Sequence, residues 1–278
     1  MLRVSELYIY PIKSMGGIAL KNARVTDRGF EYDRRWMLVD ENNLFISQRD
    51  VPVMALMHIE IKEQGLQVSY PPKNSSIIIA FAPQTKEFAE VTIWDDTCTG
   101  QFVSNEADRW FSKMLGISCR LVYMPDNSHR ITDQRYTSEI SITSFSDAYP
   151  FLIIGQATLD DLNNRLAEPL PMNRFRPNIV FTGGEPFAED LMHTIMVGNL
   201  KFFGVKLCAR CNIPTIDQAT AVAAKEPLKT LARYRFKNNK IMFGQNLVHE
   251  GSGEIAVGDE LRVLKLNNDE RFLINAND

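Results

Sequence analysis

Short runs of alternating apolar and polar residues, separated by brief polar turns, recur along most of this 278-residue chain. Runs at residues 57–62 and 66–70 flank a Glu-Gln-Gly turn, and runs at 193–197 and 200–205 flank a Gly-Asn pair. A period of two is typical of strands with one buried face, and Gly-Asn is a common hairpin turn. The pattern therefore predicts antiparallel hairpins rather than long helices.

Other segments extend this pattern. Further strands are predicted at residues 4–10, 36–39, 44–47, 91–94, 100–103 and 178–181. Residues 254–264 are predicted to close the last domain around the turn pair Gly258-Asp259. Ser104 is expected to cap a helix whose apolar face contains Trp110, Phe111, Met114 and Leu115. Thr158 resembles the start of a capping box for a second helix, whose apolar side contains Leu159, Leu162 and Leu166.

Many short strands with few helices indicate a mainly β protein of α+β type, built as two β-barrel-like domains. The chain contains neither GxGxxG nor GxxxxGK[ST], so a nucleotide-binding fold is unsupported. Residues 121–136 are rich in polar and turn-forming types. We therefore predict domains at residues 1–120 and 121–268, followed by a tail at 269–278.

The charge and hydropathy of the chain exclude several partners. The formal net charge is −3 and the pI is about 5.9, which gives no general attraction to nucleic acid or to anionic membranes. No apolar run reaches the roughly 18 residues of a membrane span, and the start lacks the apolar segment of a signal peptide. We expect a cytoplasmic protein that binds neither a nucleic acid polymer nor a membrane.

The run Cys208-Ala209-Arg210-Cys211 gathers two of only four cysteines beside a permanent cation. A thiol reacts or binds a soft metal as the thiolate, and a nearby guanidinium favours that form. In a reducing compartment such a pair is more often a metal or redox site than a disulfide. The tetrad is therefore the first candidate for chemistry.

The residues alone leave four interpretations of this tetrad open. The first is half of a four-thiolate zinc site, but Cys98 and Cys119 do not have the spacing of the other half. The second is a dithiol redox pair, but such a pair normally opens a helix, and here Pro214 follows soon after. The third interpretation is two cysteines packed in a β-core. The fourth is one thiolate that binds a soft metal next to an anion. The four histidines are too scattered to suggest a zinc hydrolase.

A series of motifs, in this order, carries a family resemblance. They are YPIKSMGG from residue 10, DRRWMLVD from 33, SQRD from 47, FSDAYPFLI from 145, NRFRPNIVF from 173, CARC, EPLKTL from 226, FGQNL from 243 and VGDE from 257. The sequence resembles the MOSC (molybdenum cofactor sulfurase C-terminal) family, specifically the two-part members with an N-terminal β-barrel. These include the mitochondrial amidoxime-reducing component and bacterial relatives.

The resemblance implies a molybdenum cofactor, Mo-molybdopterin, with Cys211 as the protein ligand to the metal. It also implies a set of residues that hold the cofactor's phosphate or pterin: Lys13, Ser14, Arg34, Arg176, Asn178 and Arg210. Arg49, Ser146 and Asp147 are candidates of second rank, and Asp217 is a candidate catalytic residue that orients the cofactor or moves protons. Without the resemblance, these positions read as polar turns and solvated strand edges.

The implied activity is reductive removal of oxygen from N-hydroxylated compounds such as hydroxylamines, amidoximes and N-hydroxylated bases. The chain lacks the closely spaced cysteines of a plant-type ferredoxin domain, so we expect a separate electron donor, either a flavoprotein reductase or a small iron–sulfur protein. Two alternatives stay open, namely sulfur transfer through a persulfide and simple binding or delivery of the cofactor.

Overall fold

The computed structural model describes residues 1–137 and 139–274. Its strands in chain order are β1 (Leu2–Ile9), β2 (Ile18–Leu20), β3 (Asn22–Thr26), β4 (Gly29–Phe30), β5 (Trp36–Val39), β6 (His58–Lys62), β7 (Gly65–Tyr70), β8 (Ser75–Ala80), β9 (Phe88–Ile93), β10 (Asp96–Phe102), β11 (Arg120–Tyr123), β12 (Arg130–Ile131), β13 (Ile142–Thr143), β14 (Phe151–Gly155), β15 (Ile179–Thr182), β16 (Met192–Val197), β17 (Leu200–Ala209), β18 (Phe236–Lys237), β19 (Lys240–Glu250), β20 (Gly253–Ala256) and β21 (Glu260–Leu266). The α-helices are α1 (Asn105–Leu115), α2 (Gln156–Asn163) and α3 (Leu228–Leu231). The 3-10 helices are Pro52–Leu56, Pro71–Lys73, Met172–Arg174, Ala188–Leu191, Ile213–Thr215 and Glu270–Phe272. The prediction of a mainly β protein is confirmed.

Seven strands close into a β-barrel in the order β14, β15, β1, β21, β16, β17 and β19, with β19 pairing back to β14. Closure satisfies the backbone hydrogen bonds that an open sheet leaves at its edges. The interior is filled by apolar side chains that alternate inward along the strands, including Leu7, Phe151, Ile195, Phe202 and Leu247. The barrel is therefore a packed core, and binding sites must lie at its rim.

The first strand belongs to this barrel although most of its partners lie far along the chain. β1 pairs antiparallel with β15 and with β21, and β20 pairs with β3. Val4, Leu7 and Ile9 of β1 are buried in the barrel core. Strand pairing thus crosses the boundary expected near residue 120, and the domain division stays a prediction.

The remaining N-terminal residues form two small sheets and one helix. The sheets have the orders β5-β11-β10-β9 and β6-β7-β8, and α1 packs on β11. Ser104 caps α1 by accepting a hydrogen bond from the backbone N–H of Ala107, as predicted. Phe111 and Met114 face the core from this helix. This part forms a half-barrel beside the closed one.

The predicted hairpins are confirmed at β6–β7 and β16–β17. The predicted capping box is wrong, because α2 begins at Gln156 after Gly155. The Thr158 hydroxyl instead donates to Glu189 and accepts from the backbone N–H of Phe187. The Thr158 hydroxyl thus binds the buried carboxyl of Glu189, which lies 31 positions away in the chain. The local sequence could not reveal this contact.

One strand prediction is only partly right. Residues 44–47 make isolated bridges to Val39 and Thr92 rather than a regular strand. The segment 254–264 turns between Ala256 and Glu260, around the predicted Gly258-Asp259. Its two strands join different sheets, since β20 pairs with β3 whereas β21 joins the barrel. Over the described ranges, no helix combines the length and the apolarity needed to cross a bilayer.

Candidate binding cleft

A cleft of about 110 Å3 opens where the N-terminal part meets the rim of the barrel. Its wall includes nine of the eleven residues selected from the sequence: Lys13, Ser14, Arg34, Ser146, Asp147, Arg176, Asn178, Arg210 and Cys211. These residues come from five separate stretches of chain, so folding brings together positions that are up to 198 residues apart (211 − 13). The other two, Arg49 and Asp217, do not line the cleft.

Lys13 is a buried cation in the cleft wall, with 5% of its surface exposed. Its ammonium donates to Oδ1 of Asp147 at 2.6 Å and to the carbonyl of Phe145 at 2.8 Å. Burial lowers the pKa of Lys13, while the charge of Asp147 opposes that shift. The two residues form a compensated pair whose carboxylate faces the open side of the cleft, where its side chain is 59% exposed.

The pKa of Asp147 responds to the same contact. Desolvation at the cleft wall would by itself raise this pKa, but the ammonium of Lys13 and a hydrogen bond from the indole of Trp94 lower it below its usual range. Asp147 is therefore a carboxylate that anchors a buried lysine.

Arg34 is held by a rigid network behind the cleft. Its Nη1 donates to Asp33 at 2.6 Å and to Oδ1 of Asn178 at 3.1 Å, and its Nη2 donates to the carbonyl of Arg176 at 3.3 Å. Asp33 is 2% exposed and its other oxygen accepts the backbone N–H of Tyr10. The orientation of the Arg34 guanidinium is thus set by the protein before any ligand binds.

Asn178 serves this network rather than the open cleft. Its Oδ1 also accepts the backbone N–H of Leu152, and its Nδ2 donates to the carbonyl of Tyr8. The side chain is 1% exposed and all of these contacts are internal. We conclude that Asn178 joins β1, β14 and β15 at the point where they approach the cleft.

Arg176 differs from the other cations of the cleft. Its guanidinium carbon lies 4.1 Å from the centre of the Tyr10 ring, and Arg34 lies 4.4 Å from the same ring. Among the residues that the structure describes, no side-chain hydrogen bond or ion pair satisfies the Arg176 guanidinium, although the residue is only 8% exposed. Burial lowers the pKa of Arg176 to about 10. A cation in this state is a strong receptor for an anion.

Three residues of the cleft have left-handed backbones, which non-glycine residues rarely adopt. The φ angles are 66° at Ser14, 49° at Arg34 and 56° at Arg176. Such conformations cost on the order of 1 kcal/mol or more each and tend to persist where the surroundings over-determine them, often at functional sites. No sequence signal marks these positions, since none of the three is Gly or Asn.

The cysteine tetrad divides at the end of a strand. Cys208 lies in a bulge of β17 and packs against the apolar cluster that contains Phe175 and Phe243. Arg210 donates from Nη1 to the sulfur of Cys208 at 3.1 Å and from Nη2 to the carbonyl of Phe175 at 2.8 Å. Burial raises the pKa of Cys208, and Arg210 only partly opposes this. Contrary to expectation, the arginine does not leave this thiol activated.

Cys211 lies past the end of β17, partly exposed in the cleft wall and two residues before the 3-10 helix Ile213–Thr215. The Nε atom of Arg210, next to it in sequence, is buried without a hydrogen-bond partner among the described residues. Cys98 and Cys119 pack with other apolar clusters in the N-terminal sheets. The four thiols therefore do not assemble into one site.

Asp217 stabilises the turn after the cleft. Its Oδ1 accepts the backbone N–H groups of Ala219 and Thr220, and its Oδ2 lies 3.3 Å from Nη1 of Arg174. Burial would raise the pKa of Asp217, but the hydrogen bonds from Thr220 and Ala219 together lower it. Because the carboxylate points into this turn, its catalytic role remains a prediction.

Arg49 lies at the edge of the site. Its guanidinium stacks on Trp94 at 4.0 Å, and the indole N–H of Trp94 donates to Asp147 at 3.2 Å. Ser146 holds the loop before β14, because its hydroxyl donates to the carbonyl of Tyr149. Both residues thus support Asp147 and its loop.

Sequence reasoning missed several supporting residues. Arg130 donates to the carbonyls of Ser144, Ser146 and Asp147 and pairs with Asp96 at 2.7 Å. It lies in a stretch that reads only as a polar loop. Tyr10 and Asp33 stand inside the quoted motifs, but an aromatic ring under two guanidiniums has no local signature.

The chemistry of the donor set selects a class of ligand. Lys13, Arg34, Arg176 and Arg210 contribute four positive charges to the cleft, and Arg176 is the one among them with no internal acceptor in the described chain. Cys211 supplies a soft sulfur donor at the same wall. The residues fit an anionic group that carries a thiophilic metal, as a phosphorylated molybdenum pterin does.

Two protein families match most of the chain. Residues 1–118 match the MOSC N-terminal beta barrel domain, and residues 141–262 match the MOSC domain. The chain is 31% identical over 279 residues to mitochondrial amidoxime-reducing component 1 of Mus musculus, covering 94% of this chain and 82% of that protein. It is 30% identical over 281 residues to the Homo sapiens protein of the same name, with coverage of 94% and 82%. A molybdenum cofactor sulfurase of Oryza sativa subsp. japonica is 28% identical over 286 residues, covering 94% of this chain and 35% of that protein.

Proposed function

We propose, because this chain belongs to the MOSC family and carries its N-terminal β-barrel domain, that it is a molybdenum-cofactor-dependent reductase of N-hydroxylated compounds. Hydroxylamines, amidoximes and N-hydroxylated bases are the expected substrates. The names of its relatives support an association with the molybdenum cofactor and with amidoxime reduction. The reaction type for this chain is our inference.

One observation carries the proposal. Cys211 shares a cleft wall with Arg176, a nearly buried guanidinium for which the described residues provide no acceptor. In a protein that had no anion to bind, the contact with the Tyr10 ring would be the one interaction among the described residues that offsets the desolvation cost of Arg176. The combination of a soft thiol donor and an unsatisfied cation is what a phosphorylated metal cofactor requires.

Five residues of the wall have a defined task in this proposal. Arg176, Arg34, Lys13 and the turn at Ser14 would bind the phosphate and pterin, and Cys211 would bind the metal. When bound, the cofactor supplies the two-electron chemistry that removes the oxygen atom. The protein keeps its cations oriented through Asp33 and Asp147, so little reorganisation is needed on binding.

Three further expectations are proposals of the same kind. We expect the electrons to come from a separate protein, either a flavoprotein reductase or a small iron–sulfur protein. We also expect the protein to act in the cytoplasm. Asp217 would act on the reaction through the turn that follows Cys211, since its carboxylate is bound within that turn.

Elemental analysis of protein from a host that makes the cofactor tests the proposal. We expect about one molybdenum per chain and reduction of benzamidoxime by a chemical reductant, both lost in Cys211→Ala. Cys208→Ala is the matched control, because it removes a thiol from the same cleft and should retain the metal. Zinc in the parent protein, or no metal, would overturn the proposal. Molybdenum without reduction would favour a carrier, and a persulfide on Cys211 would favour sulfur transfer.

A further inference from the structure

We propose that Gln48 and Gln218 form a positioning pair that couples the turn at Ser14 to the loop that follows Cys211. This inference rests on the proposed function. The pair fixes the position of the phosphate-binding turn at Ser14 relative to the metal ligand Cys211. Neither residue lines the cleft, and both lie behind its wall.

The two amides bind each other reciprocally. Nε2 of Gln48 donates to Oε1 of Gln218 at 3.2 Å, and Nε2 of Gln218 donates to Oε1 of Gln48 at 3.0 Å. The orientation of each amide is set by a second contact, since each Nε2 also donates to a backbone carbonyl, which can only accept. One orientation of each amide therefore satisfies both NH2 groups and both carbonyl oxygens of the pair.

On one side, the pair holds the turn that carries Lys13. Gln48 is 0% exposed and donates to the carbonyl of Ser14 at 2.8 Å. Ser14 is one of the left-handed residues, and the turn is closed by a hydrogen bond from Met15 to Ile12. A bond to the Ser14 carbonyl stabilises the peptide orientation that this backbone requires.

On the other side, the pair holds the segment after Cys211. Gln218 donates to the carbonyl of Ile216 at 3.0 Å, and Ile216 forms a bridge with Ala223. Arg174 binds the carbonyl of Pro214 at 2.8 Å in the 3-10 helix that starts two residues after Cys211. A shift at Gln218 is therefore transmitted along a short, hydrogen-bonded segment to the thiol.

A neutral amide pair suits this position for an electrostatic reason. A carboxylate at residue 48 would be buried, would repel the Ser14 carbonyl and would compete with the cofactor's anion for nearby cations. Two amides instead offer a donor and an acceptor each, so they connect the segments without altering the charge of the cleft.

The test uses Gln218→Ala, Gln48→Met and the double variant, with Val222→Ala as the control. Val222 lies in the same loop and is 63% exposed. Methionine approximates the volume of the buried Gln48, so folding is retained, and thermal unfolding of every variant verifies this. The first measurement is the rate at which molybdenum and pterin leave the loaded protein. The second is the rate at which iodoacetamide alkylates Cys211 in cofactor-free protein, located by mass spectrometry.

Each substitution removes the three hydrogen bonds that its amide makes, and one of the three goes directly to a segment of the cleft wall. We expect each single variant to release the cofactor about 5- to 10-fold faster, as the loss of that bond implies, and its Cys211 to be alkylated faster. Because the residues act as one unit, the double variant should be no worse than the more affected single variant. Multiplying effects in the double variant, or an equal effect of Val222→Ala, would overturn the coupling. If the parent binds no molybdenum but the alkylation pattern holds, the proposed function fails while the positioning pair stands.

Discussion

The ammonium of Lys13 lies 2.6 Å from the carboxylate of Asp147, and these two residues are separated by 134 positions in the chain. Lys13 follows β1 of the closed barrel, whereas Asp147 precedes β14 of the same barrel. The contact keeps a buried cation ionised at the wall of the cleft. It follows that the electrostatics of the cleft depend on the closure of the barrel.

Asp147→Asn should destabilise the protein by about 1–2 kcal/mol, less than the 3–5 kcal/mol for a fully buried pair, because Asp147 is largely exposed. The cause is the loss of a counter-charge from buried Lys13. Urea unfolding at neutral pH measures the change, and Asp95→Asn in the exposed turn between β9 and β10 is the control. Equal stabilities of the two variants would show that Lys13 does not depend on this partner.

Arg176→Gln should change stability and binding in opposite directions. Removing a nearly buried guanidinium that lacks an internal acceptor should stabilise the cofactor-free protein by about 1 kcal/mol. The same change should weaken cofactor retention by about 10- to 100-fold, the range for one hydrogen bond to a charged group. Unfolding curves and the release rate of molybdenum measure the two effects. Arg262→Gln on the exposed part of β21 should alter neither, and a loss of stability in Arg176→Gln would contradict the receptor role.

Arg130→Lys should be destabilising although the charge is kept. The Arg130 guanidinium reaches three backbone carbonyls and the carboxylate of Asp96 at once, which one ammonium cannot do. We expect a loss of about 2–4 kcal/mol, corresponding to two or more hydrogen bonds at a buried site. Arg135→Lys, in the same segment but 80% exposed, should change the free energy of unfolding by less than about 0.5 kcal/mol. Chemical denaturation measures the free energy of unfolding of both variants, and equal values would show that the Arg130 guanidinium is not needed for stability.

Stability should fall as the pH rises, because of a buried carboxyl beside α2. Burial, reinforced by the neighbouring Asp190, raises the pKa of Glu189 well above its usual range. Between the unfolded and folded pKa values the native protein therefore holds a proton that the unfolded chain has released, so stability is greatest at the acidic end of this window. Thermal unfolding from pH 5 to 8 should show this decline, and Glu189→Gln should flatten it. The pKa of Asp190 is also raised by burial, to about 6, so this residue accounts for part of the slope at the acidic end. The exposed Glu185→Gln should leave the slope unchanged, and a slope between pH 7 and 8 that is as steep in Glu189→Gln as in the parent protein would disprove the assignment.

Much of the secondary structure could be read from the sequence, because strands and hairpins follow from contacts between near neighbours. The β6–β7 and β16–β17 hairpins and the Ser104 cap are examples. The capping box predicted at Thr158 is wrong because its hydroxyl binds Glu189, a residue 31 positions away. Most of the cleft residues followed from family resemblance, since alternation and spacing alone left them as turns and strand edges.

The sequence by itself determined a mainly β chain with a cysteine pair beside an arginine, because periodicity and residue type are local properties. Only the tertiary structure decided that Arg210 binds Cys208 while Cys211 remains at the open wall, and that Arg176 has no acceptor within residues 1–137 and 139–274. It also decided the left-handed backbones of Ser14, Arg34 and Arg176. The physical reason is that charge compensation, burial and backbone strain depend on which distant segments meet when the barrel closes.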